Sequence, residues 1–177
     1  MSMLMNGAVP QINSILTEVC KRRQFLLGYS PFFTGLGEQV TIFSKKTAGN
    51  RCSCYSIERG EAIFRCSQCY GTGFSGGYDI VQLNEYKKNL NIRINESTRV
   101  LNLEELGQVV DNKPHFWMSI YPMVYTGDIV VRKSNIRYVI SNVKKTIHGG
   151  ILTGLEGDLQ ELEVGHIIYD INFKWSI

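Results

Sequence analysis

Apolar residues near the start of the chain recur with the spacing of one helical face. Four side chains share this face: Ile12, Ile15, Leu16 and Val19. Pro10 suits the first turn of such a helix, and Gly28 favours its end. Cys20 lies beside the apolar stripe and is interpreted as a small core residue. The pattern predicts one N-terminal helix, preceded by a loose arm over residues 1–9.

The apolar pattern then changes to short segments rich in β-branched and aromatic residues. Residues 39–44 predict a first strand, and most of the chain from residue 89 onward has the same character. The further predicted strands are 92–94, 99–103, 129–131, 137–143, 151–155, 159–164 and 167–173. Residues 104–110 predict a helical turn, and Ser134-Asn135 predicts the turn of a β-hairpin. Several short strands at close spacing favour a small antiparallel barrel or sandwich.

Residues 46–80 interrupt this pattern with glycines and cysteines in place of apolar periodicity. The fold class predicted is therefore α+β and mostly β. The predicted domain organisation has three parts. Residues 1–45 form the arm, helix and first strand, residues 46–80 form a small four-cysteine insertion, and residues 81–177 form a β-barrel-like domain.

Composition narrows the classes of protein to which the chain can belong. Its 177 residues are 44% hydrophobic, which is enough for a sizeable core, and the net charge of +3 is too small to indicate nucleic-acid binding by itself. No apolar run approaches the roughly 20 residues of a membrane span, and the start lacks the basic segment of a signal peptide. A soluble protein made in a cytoplasm is therefore expected. Thiols stay reduced there, so clustered cysteines more often bind metal than form disulfides.

The cysteines carry the most specific chemistry in the sequence. Cys52-x-Cys54 is followed, after eleven residues, by Cys66-x-x-Cys69, and no histidine precedes residue 115. Four thiolates form a closed tetrahedral set for Zn²⁺ that leaves no position for a catalytic water. The spacing predicts a structural zinc site at these four residues. Disulfides, an iron–sulfur centre or redox chemistry are the alternatives.

Glycines follow the second cysteine pair at Gly71, Gly73, Gly76 and Gly77. Glycine allows positive φ close to the sulfurs, as a tight metal-binding turn requires. The run lacks the lysine and the strand-to-helix context of a phosphate-binding loop, so a nucleotide site is not predicted.

Two resemblances follow from these residues. Cys66-x-x-Cys69-x-Gly71-x-Gly73 is similar to one copy of the zinc-binding repeat of DnaJ-type chaperones. The J-domain motif His-Pro-Asp is absent, so this likeness is attributed to local convergence.

The wider pattern resembles small virion proteins of tailed bacteriophages that act at the neck. It is carried by Gly49-x-Arg51-Cys52-x-Cys54 and Cys66-x-x-Cys69-Tyr-Gly-Thr-Gly-Phe-x-Gly-Gly-Tyr78, then by Trp117, Pro122, Gly127-Asp128-Ile-Val-Val-Arg132, Arg137-Tyr138 and Tyr169. The resemblance implies a ring-forming head–tail connector in the virion that contacts portal or adaptor proteins and tail proteins. A weak contact with DNA is compatible with that position. The resemblance implies no catalytic residue, no membrane and no small-molecule substrate. A tail or baseplate component is the alternative within the particle.

A zinc-dependent nucleic-acid-binding adaptor is the alternative outside the virion. The cations near the cysteines are Lys45, Lys46, Arg51, Arg59 and Arg65, and the aromatic residues Tyr55, Phe64 and Tyr70 lie between them. Glu58 and Glu61 dilute this charge.

An enzyme is the last class considered. The three histidines, His115, His148 and His166, sit beside turns or strand ends, where surface or capping roles are expected. The Phe116-Trp117-Met118 run is expected in the core. Trp175 is expected to dock on the barrel or on a neighbouring subunit, because free tails are usually polar.

Overall fold

The described part of the chain is almost entirely β-structure. The structure is a computed structural model that describes residues 17–19, 21–22, 27, 36–63, 65–81, 90–96, 99–103, 107–111, 113–148 and 150–173. The strands in these ranges are β1 Glu38–Lys45, β2 Tyr55–Ser56, β3 Glu61–Ala62, β4 Tyr78–Val81, β5 Leu90–Asn95, β6 Arg99–Leu103, β7 Gly107–Asp111, β8 His115–Met118, β9 Ile129–Arg132, β10 Arg137–His148 and β11 Ile151–Glu161. A 3-10 helix spans Ile167–Asp170.

The fold class predicted from the sequence is confirmed. Strands β1, β5, β8, β9, β10 and β11 belong to an antiparallel barrel, as the spacing of short strands indicated. Residues 17–19 and 21–22 are helical and fall within the predicted N-terminal helix. None of the helices in the described ranges has both the length and the apolar character needed to cross a bilayer.

The chain divides into two compact units that differ from the predicted three-part organisation, which stays a prediction. One unit comprises Met1–Glu38, Asn91–Met123 and Val143–Gly157, and the other comprises Gln39–Leu90, Val124–Asn142 and Asp158–Ile177. Both units are discontinuous in sequence, so sequence-local patterns are a poor guide to their borders.

The first unit contains the β5–β8 pair and the β6–β7 hairpin. Strands β5 and β8 are antiparallel, with Ile94 opposite Phe116. Phe116 and Met118 are buried, as predicted, and Ile92 and Leu155 are also fully buried. Alternating inward residues on these short strands supply the apolar interior of this unit.

The helical turn predicted over residues 104–110 is wrong for the part that the structure describes. Strand β7 begins at Gly107 and pairs antiparallel with β6, with Val110 opposite Val100. Consecutive β-branched residues at 109 and 110 favour extended backbone, and pairing with β6 satisfies their backbone groups. The prediction of a helical turn rested on the helix-forming residues 104–106 and gave less weight to the β-branched residues at 109 and 110.

The second unit is organised around β1. This strand pairs antiparallel with β4, with Lys45 opposite Tyr78, and also with β9, with Phe43 opposite Ile129. Strand β9 pairs in turn with β10, as the predicted hairpin required. Phe43, Ile129, Val131 and Ile168 form a buried apolar cluster at the centre of the unit. Strand β1 therefore contributes both backbone pairing and a core side chain.

Asp128 is a buried acid that closes a turn in this unit. Its Oδ1 accepts the Lys45 N–H at 2.8 Å, and its Oδ2 accepts the Tyr125 N–H at 2.8 Å. Desolvation raises the pKa of Asp128, and desolvation with the nearby Asp128 charge raises the pKa of Tyr78 to about 12. Both oxygens are occupied by backbone donors, so this carboxylate serves the fold.

Arg137 holds the segment after β11 against the barrel. The residue is only 3% exposed, and its Nη1 donates to the Ile168 carbonyl while its Nη2 donates to the Ile171 carbonyl at 3.2 Å. The guanidinium also lies 4.8 Å from the Tyr169 ring centroid. Burial lowers the pKa of Arg137. A buried cation is thus satisfied by carbonyls and an aromatic face.

These contacts explain why the strand predicted over residues 167–173 is wrong. The segment begins as a 3-10 helix, Ile167–Asp170, and His166 Nδ1 accepts the Ile168 N–H at 3.3 Å as its cap. Arg137 requires two carbonyls to face it, which an alternating strand would not supply. The capping role expected for His166 is confirmed.

Replacing Arg137 by Met is expected to lower the free energy of unfolding by about 3 kcal/mol, because two buried carbonyls lose their donor. Urea denaturation followed by tryptophan fluorescence would measure the change. Lys133→Met, on an exposed turn, is the matched control and is expected to change stability by less than about 0.5 kcal/mol. Equal losses in the two variants would contradict the role given to Arg137.

Candidate metal centre

The four clustered cysteines lie on two arms of one insertion in the second unit. The insertion leaves the end of β1 and returns at the start of β4, where Lys45 and Tyr78 are paired residues. The Lys46 N–H donates to the Gly77 carbonyl at 3.0 Å, one step further from the strands. A single point of the sheet therefore holds both ends of the insertion.

A small hairpin brings the two arms face to face. Strands β2 and β3 pair antiparallel, with Tyr55 opposite Ala62. The first arm carries Cys52 and Cys54 just before β2, and the second carries Cys66 and Cys69 just after β3. The two-residue strands β2 and β3 thus bring together two cysteine pairs that are separated by eleven residues in sequence.

All four sulfur atoms converge on one point. Their Sγ atoms lie within 4.8 Å of one another, with Cys52 Sγ 3.7 Å from Cys66 Sγ and Cys54 Sγ 3.3 Å from Cys69 Sγ. A tetrahedral ion with metal–sulfur bonds of about 2.3 Å places its sulfurs about 3.8 Å apart. The cysteines are free thiols in this arrangement. The residues present therefore fit one tetrahedral metal ion with four sulfur ligands.

The insertion has almost no apolar interior apart from these ligands. Among its described residues, Cys52 and Cys69 are the apolar side chains that are buried. The larger apolar groups Ile57 and Ile63 are 89% and 63% exposed. Such a segment buries too little surface to offset its ordering entropy, so the sulfur centre is its main source of order.

Tight turns around the second cysteine pair depend on glycine. Cys69 and Thr72 close one turn, with the Thr72 N–H donating to the Cys69 carbonyl at 2.9 Å. Gly77 has φ 63°, and a Cβ there would lie 2.7 Å from the Cys69 carbonyl oxygen. At Gly73, with φ 81°, a Cβ would lie 2.9 Å from the Tyr55 ring. These two glycines let the backbone and a ring pack close to the sulfurs, as the sequence predicted.

Backbone N–H groups make one thiol unusually acidic. Hydrogen bonding from the Gln68 N–H, followed by Cys54 and the Cys69 N–H, lowers the pKa of Cys66 to about 6. Desolvation and its thiol neighbours raise the pKa of Cys54 to about 12. Cys66 therefore loses its proton more readily than Cys54. A divalent cation would favour ionisation of all four sulfurs.

Arg51 supplies a second link between the arms that the sequence did not predict. Its guanidinium carbon lies 4.1 Å from the Tyr55 ring centroid and 4.3 Å from that of Phe74. The backbone adds to this contact, because the Cys52 N–H donates to the Gly73 carbonyl at 2.9 Å. A cation between two aromatic faces contributes roughly 0.5–2 kcal/mol per ring. The sequence pattern assigns Arg51 and Tyr55 to a basic and aromatic surface and does not include Phe74 in it.

Two of the histidines, both among the described residues, lie elsewhere in the fold. His115 is buried at the start of β8, and His166 caps the 3-10 helix. Cys20, Phe64 and Trp175 lie outside the described residues, and so does the side chain of His148.

Comparisons with known proteins add little to this geometry. No protein-family model matches the chain, and no curated protein matches it. One matching solved structure is the phage-like element PBSX protein xkdH from Bacillus subtilis. It is 10% identical, covers 71% of this chain and 93% of that chain, and has a TM-score of 0.35. A TM-score of this size carries no argument, so the centre is interpreted from its own residues.

Cys66→Ser is expected to open the insertion, because the variant loses one of the four thiols and with it a closed ligand set. Cleavage by trypsin after Arg59 and Arg65 is expected to become at least about tenfold faster. The matched control is Ser67→Ala, whose side chain is exposed beside Cys66. Equal cleavage of Cys66→Ser and the parent chain would show that the sulfur centre does not order the insertion.

Proposed function

We propose that this chain is a structural component of a tailed-phage particle, with one structural Zn²⁺ held by Cys52, Cys54, Cys66 and Cys69. Within the particle it acts as a neck protein that joins head and portal to tail, as part of a homo-oligomeric ring. The observation that carries the proposal is the convergence of four thiols on one tetrahedral point. The residue pattern that resembles neck proteins contains these four cysteines.

The choice of zinc among metals rests on the ligand set. Four thiolates in a tetrahedron suit Zn²⁺ or iron, whereas magnesium and calcium require oxygen ligands. Free thiols 3.3–3.7 Å apart are not disulfides. Zinc has no redox role of its own and needs no open position, which suits an insertion that requires order and has no apolar core. A structural zinc contributes on the order of 10 kcal/mol at neutral pH.

A role without catalysis is supported by what the buried polar residues contact. Asp128, Arg137 and Tyr169 all lie in the pattern that resembles neck proteins. Asp128 accepts two backbone N–H groups, and Arg137 donates to two backbone carbonyls. Tyr169 Oη accepts the Arg137 N–H at 3.3 Å and donates to the Leu162 carbonyl at 3.2 Å. Each group bonds to the fold itself, which accounts for the burial of Asp128 and Arg137 without a substrate.

The contacts of the basic residues support a structural role more than they support nucleic-acid binding. Arg51 is stacked between two rings of the insertion, so those faces are covered by the chain's own cation. Lys46 Nζ lies 3.3 Å from Asp79 Oδ1. Two of the five cations counted from the sequence are thus engaged within the molecule, which weakens a continuous basic surface.

Assembly into a larger particle is supported by the exposed aromatic residues. Tyr121 is 69% exposed and Tyr125 is 62% exposed. Tyrosine is enriched at protein interfaces because it offers a large rigid surface with a polar end. The charged fraction of 20% is also below the usual quarter. These features suit a chain whose surface is covered by partners.

Purified, reduced protein is expected to contain about one zinc ion per chain, because the four thiols form one closed site. Inductively coupled plasma mass spectrometry would measure zinc and iron in the same sample. Cys20→Ser, which lies outside the cluster in sequence, is the matched control and is expected to keep the metal. Iron in place of zinc would correct the metal, and a metal-free chain would contradict the site.

Deletion of the gene from its phage is expected to leave filled heads and complete tails that do not join. Electron microscopy of the lysate would count the three kinds of particle, and purified protein added to the lysate is expected to restore joining. Ser67→Ala protein is the control that should also restore it. Loss of tails would favour the tail or baseplate role, and normal particles would contradict a structural function in the virion.

A further inference from the structure

The close sulfur contacts in the metal centre connect the two arms of the insertion. Within a cluster of four sulfurs that all lie within 4.8 Å of one another, Cys52 Sγ lies 3.7 Å from Cys66 Sγ and Cys54 Sγ lies 3.3 Å from Cys69 Sγ. A disulfide has an S–S bond of about 2.05 Å, so each pair would close by less than about 2 Å. Movements of this size are available to side-chain rotation on arms that a hairpin already holds together.

Each of these pairs combines an accessible sulfur with a shielded one. Cys54 and Cys66 are partly exposed, whereas Cys69 is fully buried and Cys52 is 3% exposed. Peroxides oxidise the accessible thiolate first, and a neighbouring thiol then resolves the product as a disulfide. Both pairs therefore have one sulfur that an oxidant reaches and one that is positioned to complete the bond.

We propose that the centre is a thiol-oxidation site in which peroxide forms two disulfides across the arms, Cys52–Cys66 and Cys54–Cys69, and releases the metal. The inference rests on the zinc centre of the proposed function and adds its regulation by a peroxide. One thiol and H₂O₂ give a sulfenic acid and water, and the sulfenic acid and the partner thiol give a disulfide and a second water. Four zinc-bound thiolates, two H₂O₂ and four protons thus give two disulfides, four waters and free Zn²⁺.

The pairing determines what happens to the fold when the metal leaves. Bonds between the arms close loops of 14 and 15 residues in sequence separation and keep β2 and β3 together. Bonds within each arm, Cys52–Cys54 and Cys66–Cys69, would leave the arms unconnected. The oxidised insertion therefore stays closed without metal, whereas the reduced insertion opens when the metal is removed.

Trypsin places the two cysteine pairs on separate peptides, so the digest shows whether the disulfides join the two arms. Cleavage after Arg51, Arg59, Arg65 and Lys87 gives one peptide with Cys52 and Cys54 and another with Cys66 and Cys69. The zinc content of the full chain is measured first, and H₂O₂ is then added while released zinc is followed with 4-(2-pyridylazo)resorcinol. Release is expected to be complete at about two H₂O₂ per zinc. Free thiols are then blocked with iodoacetamide, and the protein is digested without reducing agent. Mass spectrometry is expected to show the two peptides linked.

Two single variants assign the bonds within the linked peptides. In Cys52→Ser the expected bond is Cys54–Cys69 with Cys66 alkylated, and in Cys54→Ser it is Cys52–Cys66 with Cys69 alkylated. The wild-type digest keeps the proposal testable if either variant fails to fold. Cys20→Ser excludes bonds made through the fifth cysteine.

The outcomes separate the two proposals. Separate peptides with internal disulfides, or sulfinic and sulfonic acids without disulfides, would overturn the inference even if zinc was present. A chain purified without metal would overturn the zinc centre, and the digest after peroxide would still decide the pairing. Linked peptides together with stoichiometric zinc release support both.

Discussion

The insertion between Lys46 and Gly77 connects β1 to β4. Among the residues described there, the buried apolar side chains are two of its own cysteines. Folding such a segment costs roughly 1–2 kcal/mol of backbone entropy per residue, and hydrophobic burial does not offset it here. Four sulfurs within 4.8 Å of one another could hold one cation, and binding of a structural metal ion is an interaction of sufficient size. The arms, the hairpin and the glycine turns all position those sulfurs, so the local structure follows from the requirement to place four ligands.

The barrel part of the second unit is stabilised differently. Phe43, Ile129, Val131 and Ile168 form an ordinary apolar core, and buried polar groups add specificity at its edges. Asp128 joins the end of β1 to a turn more than eighty residues away in sequence, and Arg137 draws the last described segment onto the cluster through carbonyls. Burial of a charged group is thus explained by the completion of backbone hydrogen bonds.

The sequence was informative where function depends on local spacing. The cysteine set could be predicted because ligand geometry imposes short fixed intervals, and the mostly β barrel could be predicted from short apolar segments and turn signals. The strand predicted at 167–173 and the helical turn predicted at 104–110 were wrong because distant partners decided them. Arg137 contacts carbonyls more than thirty residues further along the chain. Strand β7 pairs with β6, where local helix propensity had predicted a helical turn. Arg51 was assigned to a basic surface because a sequence does not show that two rings enclose it.

The position of the insertion determines how metal loss can affect the rest of the unit. Its two ends meet at the Lys45–Tyr78 pair, and β1 is held independently by β9 over Val40–Phe43. Opening of the insertion is therefore expected to remove order beyond the β1–β4 end and the contact of Tyr70 with the Phe43 cluster, while the β1–β9 pairing is retained. Local opening of this kind has a lower free energy than global unfolding. The attachment of the insertion at this one end of β1 thus separates its order from the β1–β9 pairing of the barrel.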